Sequence, residues 1–148
     1  MGEVTYANFL SEAQSNLWTL LKADATLATY TKNVLDGIPL GLTKGTGFPY
    51  VIVPTPEVTD EHYLTFSKKI EAVSFKVEVF DRKESVLRNV CDAIRNCVGS
   101  AANTKIFGNT YGMYKFLNAT TSLGYDIQED NSVVYNYTMT LTYEWVAW

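Results

Sequence analysis

The chain has 148 residues, 47% of them hydrophobic and 19% charged, with sixteen acidic and twelve basic side chains giving a formal net charge of −4. That balance fits one globular domain of ordinary size and excludes a disordered chain. Scattered rather than clustered Lys and Arg exclude a phosphate-gripping nucleic-acid binder, and no apolar run reaches the length of a membrane span.

Residues 6–22 carry Tyr6, Phe9, Leu10, Ala13, Leu17, Leu20 and Leu21 at helical spacing and predict an amphipathic helix. The N-terminal stretch "MGEVTYANFLSEAQ" has no charged region followed by an apolar core, so the expectation is a protein made and kept in a cytoplasm. Asp24 is placed to cap a second, shorter helix holding Leu27, Tyr30 and Val34, with Gly37 and Pro39 ending it.

"LGLTKGTG" reads as a flexible connection. Its glycines precede a strand instead of opening a helix, and their spacing is not that of a phosphate loop. "FPYVIV" reads as a short strand apolar on both faces, stopped or held at an edge by Pro54 and Pro56. The following "TPEVTDEHYLTFSKK" is polar and acidic, as expected of a mobile loop or a hairpin tip. It contains His62, the single histidine, which has no cysteine or second histidine at metal-ligand spacing.

"KIEAVSFKVEVFD" alternates with period two: Val73, Phe75, Val77 and Val79 face one way, Ala72, Ser74, Lys76 and Glu78 the other. Asp81 and Glu84 predict a capping box for the helix that follows. Its core stripe is Val86, Leu87, Val90, Ile94, Cys97 and Val98, and Gly99 is the expected left-handed stop. Cys91 and Cys97 lie six residues apart on that helix, a rotation of about 240° and a rise of about 9 Å, so they read as buried thiols and not as a disulfide.

Residues 100–112 read as a loop. "MYKFLNATTSLGYDIQED" reads as one or two strands with turns at Gly124 and at "QEDN"; its acids lack the alternating ligands of a calcium loop. The chain then closes on "VVYNYTMTLTYEW", with Val133, Tyr135, Tyr137, Met139, Leu141, Tyr143 and Trp145 on one face and Thr138, Thr140 and Thr142 on the other. Thirteen extended residues span about 43 Å, as long as the folded body of such a domain. Such a strand either crosses the whole sheet or presents an edge to another subunit. Thr138, Thr140, Thr142, Trp145 and Trp148 are therefore the candidate subunit or partner contacts.

These elements predict a single α+β domain over 1–148, with a mixed, largely antiparallel sheet and two or three helices packed on one face. No residues assemble into a catalytic, cofactor or metal site. Their order resembles the tail-terminator, or tail-completion, proteins of long-tailed bacteriophages. The carrying stretches are the helix pair ending in "VLDGIPLG", the strand "FPYVIV", the unit "VSFKVEVFDRKESVLRNVCDAIRNCV" and the closing "YNYTMTLTYEW".

The resemblance implies a structural virion protein at the tail–neck junction, without a cofactor and without enzymatic activity. It implies a ring, typically of six copies, that caps the tail tube and ends its polymerisation. The implied partners are further copies of the chain, the tail tube protein and the head completion or connector protein. Genomic DNA would pass through the lumen without specific binding, and no membrane is involved. Glu57, Asp60 and Glu61 are candidate lumen acids that would repel phosphate, and equally candidate solvated loop residues. The competing readings are another neck or minor tail protein, and a small apolar-ligand binder with a cavity lined by Phe75, Tyr135, Tyr137 and Met139.

Overall fold

The computed structural model describes residues 6–36, 48–62, 68–100, 112–127 and 133–147, with side chains described over 11–36, 48–57, 72–100, 116–125 and 133–144. The element order is α1 (Tyr6–Ala23), α2 (Ala25–Ala28), β1 (Asn33–Leu35), β2 (Tyr50–Ile52), β3 (Glu57–His62), β4 (Lys68–Asp81), α3 (Glu84–Gly99), β5 (Gly112–Ile127) and β6 (Val133–Ala147). Among the described residues six strands form one mixed sheet in the order β1-β2-β4-β6-β5, with β3 paired to β4 beyond the end of β2. Only the β1–β2 pair is parallel. The expected α+β class is therefore present. No described helix is long and apolar enough to cross a membrane.

The topology follows from α3. β4 and β5 both run antiparallel to β6, so they are parallel to each other and need a crossover. α3 supplies it, and β6 then slots between the two strands that α3 connects. The helix lies over that triplet, burying Leu87, Val90, Ala93, Ile94, Cys97 and Val98 against it. Val73, Phe75, Val77 and Val79 of β4 and Met139, Leu141 and Tyr143 of β6 are buried from below. Phe75 and Phe116 meet the Tyr143 ring edge-on, with centroids 5.8 Å and 5.4 Å away. This arrangement suits the quadrupoles of aromatic rings.

α1 joins the same core through Ala13, Leu17 and Leu21. Polar side chains fix its position. Gln14 Nε2 donates to the carbonyls of Asp36 and Val53, at 3.1 Å and 3.0 Å, and Trp18 Nε1 donates to the Val34 carbonyl at 2.8 Å. Trp18→Phe removes the indole N–H together with part of the ring and strands that carbonyl, so it should cost at least about 1 kcal/mol in urea unfolding. An unchanged midpoint would mean that the bond contributes nothing.

Several local expectations are corrected. The second helix stops at Ala28, with Asp24 capping it as expected by accepting from the Leu27 amide at 2.8 Å. Val34 is not helical but the centre of β1. The chain leaves the helix at Thr31, whose hydroxyl donates to the Pro49 carbonyl and accepts the Asn33 amide, steering the backbone into the β2 pairing. Gly37 and Pro39 lie outside the described residues.

Of the two expectations for the acidic stretch after Pro56, a mobile loop is replaced by a strand, and the antiparallel β3–β4 pairing agrees with a hairpin. β3 pairs antiparallel with β4 from Glu57↔Ser74 to His62↔Lys68, and residues 63–67 lie outside the described residues. The capping box does not form. Lys83 is the N-cap without a side-chain bond, Asp81 accepts from the Lys83 amide at 2.7 Å, and Glu84 turns instead to Arg88. Gly99 is the last helical residue, and Ser100 ends the helix in extended conformation at φ −67°, ψ 150°.

Gly124 is no turn either. β5 runs unbroken past it, with a bulge between Phe116 and Asn118, and Gly124 faces Asn136. A Cβ there would sit 3.8 Å from the Asn136 carbonyl oxygen, ordinary contact, so the glycine meets no steric demand.

Cys91 and Cys97 are buried free thiols, as expected. Burial pushes the Cys91 thiol up to about 12, with Asp92 adding to the effect. The sign for stability follows. Below pH 9 the thiol is neutral folded and unfolded. Above it the unfolded thiol ionises while the folded one holds its proton up to about 12, so stability should fall across that interval. Denaturation midpoints in urea at pH 7 and pH 10 check this, and Cys91→Ala should flatten the dependence.

Candidate assembly surface

β6 has hydrogen-bonded neighbours on both sides: β4 from Ala72↔Glu144 to Asp81↔Tyr135, and β5 from Gly112↔Ala147 to Ile127↔Val133. From Tyr135 to Glu144 the closing strand therefore crosses the sheet and presents no edge, and beyond Glu144 it is paired with β5 alone. That resolves the choice left open by its length. Its threonines can reach a partner only through the sheet face, because the backbone groups beside them are already satisfied within the subunit.

That face is the side turned away from α3, and the registers assemble it row by row. Glu57, Ser74, Thr142 and Asn118 form one row across four strands. Lys76, Thr140 and Thr120 form the next, Glu78, Thr138 and Ser122 the third, and Phe80, Asn136 and Gly124 the fourth. The alternation that sends Phe75 and Leu141 into the core sends their neighbours here.

Within the grid, Ser74 Oγ and Thr142 Oγ1 share a hydrogen bond of 3.4 Å, and Thr138 Oγ1 donates to Asn136 Oδ1 at 3.2 Å. Lys76 Nζ reaches Glu57 Oε1 at 3.2 Å between two exposed side chains, a pair worth little in water. Short hydroxyl side chains at this density make a level surface that another protein can approach closely, with donors and acceptors still on offer.

The proposed site residues divide on this map. Thr138, Thr140 and Thr142 come together at the centre of the face, and Glu57 joins their lowest row. Asp60 and Glu61 do not: past a register shift after Thr59 they run out along the β3–β4 ribbon, opposite Ile70 and Lys69. Trp145 lies opposite Tyr114 at the far end of the β5–β6 ladder, its side chain outside the described set, and Trp148 lies outside the described residues. Ser74, Lys76, Glu78, Asn118, Thr120 and Ser122 were not singled out from sequence. Their signal is the polar half of the same alternation, invisible as one surface until the registers are known.

Among the described residues no three metal-ligating side chains come together. The cavity imagined around Phe75 and Met139 is filled by the core, where both are essentially inaccessible. A shallow cleft of about 270 Å³ lies elsewhere, along α1 between Ser11, Gln14, Ser15, Trp18 and Asp36, and Gln14 already spends its donors on the backbone. The Tyr137 hydroxyl donates to Glu84 Oε1 at 3.2 Å, and Glu84 also holds Arg88 at 3.1 Å, which raises the affinity of that guanidinium for its proton. These contacts anchor the start of α3 to β6.

No protein-family model matches the chain, and no curated protein matches it. A solved structure does. A chain from the virion of a native gene transfer agent (GTA) particle superposes with a TM-score of 0.61 at 18% identity, over 95% of this chain and 99% of that one. The likeness spans both chains almost end to end, so this chain has the fold of a protein built into that virion.

Proposed function

We propose that the chain is a structural virion protein whose copies form a ring on the end of a tail tube, stop tube growth and join tail to head. The observation that carries this reading is the end-to-end likeness to a chain of the GTA virion, together with a flat hydroxyl face in place of a reaction centre. The ring is a heterologous assembly in which each copy offers two different patches. Thr138, Thr140 and Thr142 supply one patch through the sheet face, with Trp145 and Trp148 at the end of the closing strand. Glu57, Asp60 and Glu61 on β3 are the acids that would repel the phosphates of passing DNA. The partners are other copies, the tail tube protein and the head completion or connector protein, and no catalytic step is assigned. A different neck or minor tail position is the second reading, because the same likeness supports it.

The test is negative-stain microscopy of the purified protein mixed with polymerising tail tube protein. Tubes of limited length carrying a ring at one end are the expected result. Tubes that grow unchecked and bare overturn the terminator role. Thr140→Trp, at the centre of the face and only part-buried, should leave the unfolding midpoint within about 0.5 kcal/mol of wild type while abolishing caps.

A further inference from the structure

Among the described residues the sheet ends on an unpaired edge. β5 is 16 residues long and terminal in the strand order, so its outer row of N–H and C=O groups has no partner strand among the described residues. Between Phe116 and Tyr125 the sequence "FLNATTSLGY" holds no charged residue and no proline. Charge and proline are two of the devices by which proteins prevent edge pairing, and a third, the bulge between Phe116 and Asn118, is confined to one end of the stretch. Along the same stretch Leu117, Leu123 and Tyr125 are 50%, 47% and 68% exposed.

The opposite side of the sheet is managed differently. β1 is three residues long, and β3 is six residues long, preceded by Pro54 and Pro56 and marked by Glu57, Asp60 and Glu61. Neither can cover β5. Three or six residues leave most of the long edge unpaired, and the acids of β3 would be set beside an uncharged, partly apolar strand. The segment that matches β5 in length and in lack of charge is β5 itself.

We propose that free copies pair antiparallel, β5 to β5, about a twofold axis near Thr121, continuing the sheet from one subunit into the next. Antiparallel neighbours must share a face. An axis at Thr121 meets that condition: it sets Leu123 opposite Ala119 of the second copy, both on the helix side, and Thr120 opposite Ser122 on the polar side. The contact is isologous and closes at two copies. It therefore does not depend on the ring, whose heterologous contacts use other patches, and it can be measured on the protein alone.

Sedimentation of the purified chain at 100 µM should give twice the single-chain mass. The double variant Leu123→Lys, Tyr125→Lys should sediment as one chain with unchanged circular dichroism, since both side chains are exposed. Single variants Thr120→Cys, Thr121→Cys and Ser122→Cys locate the axis. Only a residue that meets its own copy forms a disulfide between identical positions, and the native thiols are buried. One of the three should cross-link at least tenfold faster than an exposed control, Ser15→Cys. A wild-type chain that remains single at that concentration overturns the proposal. So does a dimer that survives both lysines, or one in which none of the three cysteines outpaces the control.

Discussion

Phe75→Ala should lower the unfolding free energy by about 3–5 kcal/mol, as removal of a buried phenyl ring generally does. The ring is 1% exposed, sits on β4 beneath α3 and meets Tyr143 edge-on. Its removal forfeits transfer free energy and the aromatic contact, and leaves a void that three strands and a helix cannot close together. Domains of this size hold about 5–15 kcal/mol in all, so the variant should be partly unfolded at 37 °C. Lys76→Ala, the next residue on the same strand, should cost less than about 1 kcal/mol, because it removes only an exposed ion pair with Glu57. Urea titrations of the two variants measure the contrast directly. Equal losses would mean that the sheet's two faces are not divided as described.

The second large effect concerns the end of the chain. Deleting residues 144–148 removes the β5–β6 pairs from Lys115↔Glu144 to Gly112↔Ala147. Ladder hydrogen bonds contribute about 1 kcal/mol each, so a loss of about 2–4 kcal/mol in stability is expected. Buried Phe75 and Tyr143, with the partly buried Phe116 against them, stay within the shortened chain, so the fold should survive at 10 °C. In the proposed role, tube capping should be abolished there although the protein remains folded, because Trp145 and Trp148 go with the deletion. Circular dichroism and microscopy on the same sample separate the two outcomes. Normal caps from the truncated chain would remove the terminal tryptophans from assembly.

The two experiments probe different consequences of one pattern. Strict alternation in β4 and β6 sends alternate residues to opposite faces, so the core and the hydroxyl surface are specified by the same stretches. Replacing a residue on one face tests cohesion, and replacing its neighbour tests contact. The thiol on α3 adds a third probe, since its raised pKa depends on burial beneath that helix rather than on either sheet face.

Strong periodicity was legible in the chain itself. The stripes of α1 and α3, the two faces of β4 and β6 and the α+β class are all local consequences of side-chain spacing, written over ten or more residues where the signal accumulates. Short elements were not legible in this way. Val34 looks helical by spacing, but a parallel partner at Val51 holds it in a strand. Glu57 to His62 looks like loop by polarity, but β4 supplies a partner whose hydrogen bonds outweigh composition. Gly99 does stand at the end of α3, but as its last helical residue and not in a left-handed conformation, and Gly124, which looks like a turn, lies inside a strand because its pairing with β6 continues past it. Above all, no residue in "YNYTMTLTYEW" says whether that ribbon lies at an edge or in the middle. Strand order depends on contacts between residues far apart in the chain, and only the α3 crossover decided that β6 is the interior strand and β5 the exposed one.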